Sequence, residues 1–440
     1  MAEPRKRQAV ILIHGIGEQR PIDTLRSFVE SVTGYLKERH HFGEDEVIFW
    51  EKPDPESGNF ETRKMTVRKG LKHPTTDFYE FYWAHHFRDT NFGHVKDWLR
   101  RVVFRRPGSV SPRLKTVFVV VWAIFLLILA LMVYYACTHG LMQLWGSLVA
   151  LASGVALTVL LKLVAGPLFG YLGDAARYLD PAPGNIGERK SIRSEGITLL
   201  TRLHESGKYD RIVIVGHSLG SVIAYDLVKF LWNEYYKTFD PEKFKALVQN
   251  DDKSYFAHLQ HFEALSHQMG KGETTEDELC EAQRKCHLYY KAIGNKWLVS
   301  DLLTIGSPLA HAGHLFVYKK DLFEKLKEQR EYPTCPPRFQ RPDVTNIVRS
   351  DKFFIPGIDH PLILKRFNHS SPFAVVNWTN IYYKGDYIGG PLKEVFGQGI
   401  RDIETERRKG IPAIPQGHTS YWDLADKHHV LKEIWKVLEG

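Results

Sequence analysis

Short apolar runs alternate along most of the chain with longer segments whose apolar residues recur at helical spacing. The short runs are typical of buried strands, and the longer segments of amphipathic helices. Strands are predicted at Gln8–Ile13, Glu46–Trp50, Asp77–Ala84, Arg211–Val215, Trp297–Ile305 and Val375–Tyr383. Helices are predicted at Arg20–Arg39, Ile192–Ser206, Ser221–Tyr236, within Pro241–Gly294 with a break at Gly270–Thr275, near Lys319–Gln329 and at Asp423–Leu438. This alternation predicts an α/β fold with a mostly parallel central sheet flanked by helices.

Two long uncharged segments interrupt the alternation. Val117–Cys137 and Leu141–Leu161 each contain 21 residues without a charge, and Thr138–Gly140 separates them. Because a helix rises about 1.5 Å per residue, each segment is long enough to cross a hydrocarbon core of about 30 Å. The pattern favours an inserted two-helix transmembrane hairpin over a buried hairpin in the core of a soluble protein.

Charge is distributed unevenly around these segments. The formal net charge is +8, and a basic cluster precedes the first segment, whereas Thr138–Gly140 carries no Lys or Arg. The cluster comprises Lys96, Arg100, Arg101, Arg105, Arg106, Arg113 and Lys115. Its position beside an apolar segment favours contact with the anionic head groups of a lipid bilayer over nucleic acid. The positive-inside rule predicts an integral membrane protein whose remaining chain lies on the cytosolic side.

The segment with the most specific chemical pattern is Gly216–Gly220, GHSLG, between a predicted strand and a predicted helix. A G-x-S-x-G sequence in this context forms a turn so tight that residues without a Cβ flank the serine. The turn projects the serine hydroxyl above the sheet, next to the start of a helix. Ser218 is therefore predicted to be a nucleophile rather than an inert serine of a strand–helix turn.

This segment resembles the nucleophile elbow of the α/β-hydrolase superfamily, in its lipase and esterase branch. His14–Gly17, HGIG, is similar to the oxyanion loop of that superfamily. Leu303–Leu309 resembles the strand after the elbow, and Trp378–Asp386 resembles the strand that leads to the catalytic acid. The resemblance covers residues 8–50, 75–90, 170–235 and 297–440. It implies an α/β-hydrolase fold with cap-like insertions in addition to the transmembrane hairpin.

The resemblance also implies where an oxyanion would be bound. Its donors are expected to be the backbone N–H groups of Leu219, the residue after the nucleophile, and of Ile16 in the H-G loop. His14 itself is expected to be structural.

The chain is expected to divide into three regions. They are residues 1–95 with the oxyanion loop, 96–175 with the basic flank and hairpin, and 176–440 with the elbow, acid and base.

A serine hydroxyl requires a base, and the base is oriented by a carboxylate, in the chain order Ser, acid, His in this superfamily. His418 lies in a loop before the closing helix and is predicted to be the base. Asp386 follows an apolar strand, precedes His418 by 32 residues and is predicted to be the acid. Other candidates are His428 and His429 for the base, and Asp402 and Asp359 for the acid.

No metal and no cofactor are expected from the sequence. His258, His261 and His267 do not share one helix face, and His85–His86 has no partner at metal-ligand spacing. The four cysteines form no C-x-x-C pair. The H-G loop lacks the third glycine of a dinucleotide-binding turn.

These patterns together predict a membrane-anchored serine hydrolase that cleaves carboxylic esters through an acyl-enzyme. Because the hairpin is inserted between two predicted strands, it would hold the catalytic site at the bilayer, and a lipid or phospholipid acyl ester is the expected substrate. Two alternatives remain open from the sequence. They are a thioesterase or amidase acting on a cytosolic acyl substrate, and a non-catalytic membrane scaffold with a hydrolase fold.

Overall fold

The computed structural model describes residues 6–15, 20–40, 47–59, 61–69, 74–87, 178–179, 183–250, 256–317, 320–338, 347–354, 361–406, 416–419, 421–423 and 428–439, with isolated positions between 119 and 138. The chain divides into two compact units. The first contains residues 1–86, 190–313 and 317–440. The second contains residues 87–189 and 314–316.

A mixed sheet of eight described strands forms the centre of the first unit. The strands are β1 (Arg7–Ile13), β2 (Val47–Pro53), β3 (Arg63–Lys69), β4 (Thr75–Phe81), β5 (Arg211–His217), β6 (Val299–Ile305), β9 (Asn377–Tyr383) and β10 (Arg401–Thr405), while β7 (Val348–Phe353) and β8 (Leu362–Phe367) form a separate antiparallel pair. The order across the sheet is β10-β9-β6-β5-β1-β4-β3-β2. The six strands from β10 to β4 are parallel, and β3 and β2 add an antiparallel edge. The predicted α/β fold with a mostly parallel sheet is confirmed.

Helices connect and cover these strands. The α-helices are α1 (Asp23–His40), α2 (Ile186–Glu205), α3 (Leu219–Tyr235), α4 (Pro241–Asn250), α5 (Ala257–Lys271), α6 (Glu276–Ala292), α7 (Ala312–Leu315), α8 (Lys320–Glu328), α9 (Lys393–Phe396), α10 (Gln416–Thr419) and α11 (His428–Glu439). Short 3₁₀ helices occur at Ala84–Phe87, Pro183–Asn185, Pro308–His311 and Pro372–Ala374. The predicted break between α5 and α6 is present, because Gly272 ends α5 in the left-handed conformation and Thr275 starts α6 with a capping box.

Burial on both faces of the sheet explains why the central strands are continuous apolar runs in the sequence. Val10 and Leu12 of β1 pack in one cluster with residues of α1 and α11, including Phe28 and Ile434. Alternate residues of the same strand point to the opposite face, where α3 packs against β5 and β1. Because both faces are covered, nearly every residue of β1, β5 and β9 is buried.

Four described strands lay outside the sequence prediction: β3, β7, β8 and β10. Strand β3 contains only two buried apolar residues, Met65 and Val67, between basic residues. Such a strand belongs to the edge region of a sheet, where one face is exposed, and it lacks the continuous apolar run that marked the central strands.

The predicted transmembrane hairpin is corrected by this structure. Val117–Cys137 is described only at isolated positions, which are helical, and Leu141–Leu161 lies outside the described residues. In the described part of the chain, no helix is long and apolar enough to cross a membrane. The prediction of an integral membrane protein with a cytosolic catalytic domain is therefore wrong. It depended on the length of two uncharged runs, and such a length is a requirement for a spanning helix without being sufficient for one.

Candidate active site

The turn between β5 and α3 has the geometry expected of a nucleophile elbow. Ser218 lies between the two elements with φ 51° and ψ −127°, a strained conformation for a residue with a side chain. The flanking glycines allow this turn, because a Cβ on Gly220 would lie 2.1 Å from the Ile13 carbonyl oxygen. A Cβ on Gly216 would lie 2.5 Å from the Ser221 Cα. The motif therefore seats the start of α3 directly against the end of β1.

The H-G loop approaches the same serine. A Cβ on Gly15 would lie 2.9 Å from the Ser218 Cβ, so the residue after His14 needs a hydrogen in place of a side chain. Ile16, the predicted second oxyanion donor, lies outside the described residues. Leu219 is buried and is the first residue of α3, so its N–H belongs to the helical turn that has no intrahelical acceptor. That N–H is available to an oxyanion beside Ser218.

The structure joins the predicted base to the predicted acid. His418 Nδ1 lies 2.8 Å from Asp386 Oδ2, and both side chains are only 2% exposed. Asp386 follows β9 at the carboxyl edge of the sheet, where Ser218 follows β5 and Gly15 follows β1. The parallel direction of these strands is what brings residues from distant parts of the chain to one edge.

Asp386 is fixed by two further hydrogen bonds. The Tyr421 hydroxyl donates to Oδ2 at 2.7 Å, and the Ile388 N–H donates to Oδ1 at 2.9 Å. Burial by itself would raise the pKa of Asp386. The hydrogen bond and charge of His418, together with the other two donors, outweigh burial and lower that pKa to about 2. The carboxylate is therefore ionised near neutral pH, as the partner of a histidine base requires.

His418 lies beside the elbow as well as beside the acid. The neighbouring His217 bonds through Nε2 to the His418 carbonyl oxygen at 3.0 Å, and the two rings are 5.3 Å apart. Ser218 Oγ and His418 Nε2 are both buried, and neither forms a hydrogen bond with a described residue. Hydrogen bonds between a nucleophile and its base are often long or poorly aligned before substrate binds, and both atoms are open for such a bond.

The rival residues occupy other positions. Asp402 accepts hydrogen bonds from Asn380 Nδ2 and from the N–H groups of Leu392 and Lys393, so it holds the start of α9. His429 is exposed on α11, and Asp359 lies outside the described residues. His14 is fully buried and stacks on Trp83, with ring centroids 5.2 Å apart, as a packing residue would.

Two supports of the site were missed from the sequence. Ser221 donates through Oγ to the Ser218 carbonyl at 2.5 Å and contacts Ser307 Oγ at 2.6 Å. These contacts hold the backbone of the elbow in place. Tyr421 holds Asp386, as described above. Ser and Tyr are common residue types, and the contacts with Ser307 and Asp386 join positions far apart in the sequence, so only the position of Tyr421 three residues after His418 offered a signal.

The structure gives His85–His86 a neighbour that the spacing of the sequence did not indicate. Their ligand atoms and a carboxylate oxygen of Glu195 all lie within 4.8 Å of one another. His86 Nε2 is 3.0 Å from Glu195 Oε2, across 109 positions of sequence. The partner was missed because it comes from α2, whereas the histidine pair follows β4.

Fold and site together define an α/β protein that carries a Ser–His–Asp arrangement at the carboxyl edge of a mostly parallel sheet. In comparisons with known proteins, no family model, no curated protein and no solved structure matched the chain. The assignment to the lipase and esterase branch of the α/β-hydrolase superfamily with an inserted transmembrane hairpin is thereby corrected, because no family match supports it and no described helix could span a membrane. The motifs behind that assignment are short, and they specify a local turn more strongly than a family.

Proposed function

We propose that this protein is a serine hydrolase that cleaves carboxylic esters through an acyl-enzyme on Ser218. The observation that carries the proposal is the buried contact between His418 Nδ1 and Asp386 Oδ2, 2.8 Å long, beside a serine in a strained strand–helix turn. A structural serine needs neither the strain nor the adjacent buried His–Asp pair.

The proposed reaction has two acyl transfers. Ser218 Oγ attacks the ester carbonyl carbon while its proton passes to His418 Nε2, and the carbonyl electron pair moves onto oxygen. The Leu219 N–H stabilises that oxyanion. Collapse expels the alcohol, which takes the proton from His418, and leaves the acyl group on Ser218. Water then attacks the acyl-enzyme with His418 again as base, and the acid is released.

Asp386 orients the imidazole in this scheme. Its carboxylate accepts the Nδ1–H, which leaves Nε2 as the free base on the side of the serine, and its charge stabilises the imidazolium that forms. The expected lipid substrate and the contact of the basic cluster with anionic head groups remain predictions. The cluster lies outside the described residues. The argument for a lipid ester depended on the prediction of a transmembrane hairpin, which has been corrected above. The proposal is therefore limited to carboxylic esters and names no lipid class.

Hydrolysis of short p-nitrophenyl esters by the purified full chain tests the proposal. Ser218→Ala should lower kcat/KM at least about a thousandfold, because nucleophile and base act as a unit. A fluorophosphonate probe should label the wild-type protein and leave this variant unlabelled. Ser266→Ala is the matched control, since this buried serine bonds to the Phe262 carbonyl within its own helix. Undiminished hydrolysis by Ser218→Ala, or a wild-type protein that neither reacts with the probe nor hydrolyses esters, would contradict the proposal.

A further inference from the structure

A second group of chemically competent side chains lies outside the Ser–His–Asp arrangement. His85 and His86 belong to the 3₁₀ helix Ala84–Phe87 that follows β4, and Glu195 lies on α2. Glu195 Oε2 is 3.0 Å from His86 Nε2 and 3.8 Å from His85 Nε2. The two imidazole rings are 4.0 Å apart. Three potential ligand atoms from two separate elements therefore converge on one point.

We propose that His85, His86 and Glu195 bind a divalent transition-metal ion, for which Zn²⁺ is the best match to the ligands. Two imidazole nitrogens and one carboxylate oxygen form a donor set that zinc commonly accepts. With metal–ligand bonds of about 2.0–2.1 Å in a tetrahedron, ligand atoms lie roughly 3.3 Å from one another. The two distances to Glu195 Oε2, 3.0 and 3.8 Å, bracket that separation.

The surroundings favour a bound ion over a simple hydrogen bond. The His86–Glu195 contact alone would not require His85, yet the His85 ring is held in place by stacking on Tyr82 at 5.8 Å. The Glu195 side chain is 48% exposed and the His85 side chain 31% exposed, so an ion and a water molecule can reach the group from solvent. Three protein ligands leave a fourth position of the tetrahedron for that water.

The proposed site lies close to the candidate active site. Tyr82, on which His85 stacks, also packs on His14 with ring centroids 5.4 Å apart. His14 precedes Gly15, the residue that contacts Ser218. A metal at this position would tie α2 to the end of β4, next to the loop that approaches the nucleophile. This inference is independent of the proposed ester hydrolysis, because that reaction assigns no role to His85, His86 or Glu195.

Metal titration of the purified full chain tests the proposal, with Zn²⁺ by calorimetry and Co²⁺ by visible absorption after removal of metal with a chelator. The wild type should bind one Zn²⁺ at this site and should give Co²⁺ bands of a low-coordinate nitrogen and oxygen site. Glu195→Gln should weaken Zn²⁺ binding at least about tenfold, and His85→Ala with His86→Ala should abolish it. Glu195→Gln changes an exposed side chain, so it decides the question even if the histidine variant fails to fold.

Other surface histidines provide the control. His258, His261 and His267 are exposed on α5, and their combined replacement by alanine should leave the Zn²⁺ affinity and the Co²⁺ spectrum unchanged. Equal binding by the wild type and by Glu195→Gln would overturn the proposal, as would loss of the signal in the α5 variant. Wild-type protein that binds no Zn²⁺ would show that His86 and Glu195 form a hydrogen bond only.

Discussion

At the scale of single residues, the Asp386 carboxylate is the most constrained group of the candidate site. It is buried, which disfavours its charge, and three donors keep it ionised: His418 and Tyr421, which lie close together in sequence, and the Ile388 N–H two residues further along the chain. Tyr421 is itself held, because its hydroxyl also accepts from the Tyr383 N–H at 2.9 Å and its ring stacks on the Tyr383 ring at 4.1 Å. In the proposed reaction Tyr421 would thus act through Asp386, as a positioning residue.

Tyr421→Phe should lower the proposed ester hydrolysis about ten- to a hundredfold, since a hydrogen bond to a charged group is worth about 1.5–3 kcal/mol. Loss of the hydroxyl also removes one cause of the low pKa of Asp386, so the pKa of that carboxyl should rise, which titration of the carboxyl by carbon NMR measures. A merely structural role would not move that pKa. Tyr225→Phe is the control, because its buried hydroxyl donates to the Pro333 carbonyl away from the site. An Asp386 pKa in Tyr421→Phe identical to that of the wild type would contradict this role.

At the scale of secondary structure elements, the elbow depends on how closely α3 sits on the sheet. Gly220 lies in the first turn of α3, and its α-hydrogen position faces the carbonyl oxygens of Ile13 and His14 at the end of β1. These acceptors are backbone atoms and cannot rotate away, so the spacing of helix and strand is set by the absence of a side chain. The same spacing places Gly15 against Ser218.

Gly220→Ala should therefore destabilise the fold by about 3 kcal/mol, because the new Cβ would meet the Ile13 carbonyl oxygen at 2.1 Å and α3 would have to move. Urea unfolding measures the loss, and ester hydrolysis should fall with it. Gly270→Ala is the matched control, since that helical glycine has nothing within 4 Å of the added Cβ. Alanine there should be neutral or stabilising by up to about 1 kcal/mol. Equal stability of the two variants would contradict the account.

At the scale of the whole molecule, the first unit buries several histidines in neutral form. Burial lowers the pKa of His204 and of His287 to about 4, and that of His217 to about 3, from an ordinary value of 6.5. Glu80 acts in the opposite direction, because burial raises its pKa from 4.5 to about 7 while the Ile22 N–H donates to it at 2.6 Å. These groups bind different numbers of protons in the folded and unfolded states.

The free energy of unfolding should fall as pH is lowered from 6.5 toward 4. In that range the unfolded histidines are protonated while the folded ones stay neutral, so each contributes a loss of up to about 1.4 kcal/mol per pH unit. Glu80 offsets the loss of stability from one of the three histidines. As the pH falls below 7, Glu80 binds a proton in the folded state before it does so in the unfolded state. Urea midpoints across this range measure the slope, and Glu80→Gln should steepen it. A flat profile between pH 6.5 and 4.5 would contradict the prediction.

The sequence determined the parts of this protein that depend on local order. The apolar runs of β1, β5, β6 and β9 were predicted because both faces of these strands are buried, which leaves a continuous signal. The elbow at Ser218 was predicted because a tight turn requires glycines at fixed spacing. Asp386 and His418 were predicted from the chain order that the resemblance to the α/β-hydrolases implies, and the structure brings the two side chains together.

Only the tertiary structure decided the rest, since it depends on contacts between distant segments. Strand β3 forms because it pairs with β2 and β4 near the edge of the sheet. It has too few apolar residues for the sequence to predict a strand there. Tyr421 supports Asp386, and Glu195 meets His86, through side chains whose partners are set by the packing of loops and helices. The uncharged runs are a feature that the sequence overpredicted. Their length and lack of charge predicted a membrane span, but no helix in the described residues is long and apolar enough to be one. Local pattern fixes what a segment can form, and the packing of the whole chain fixes which side chains meet.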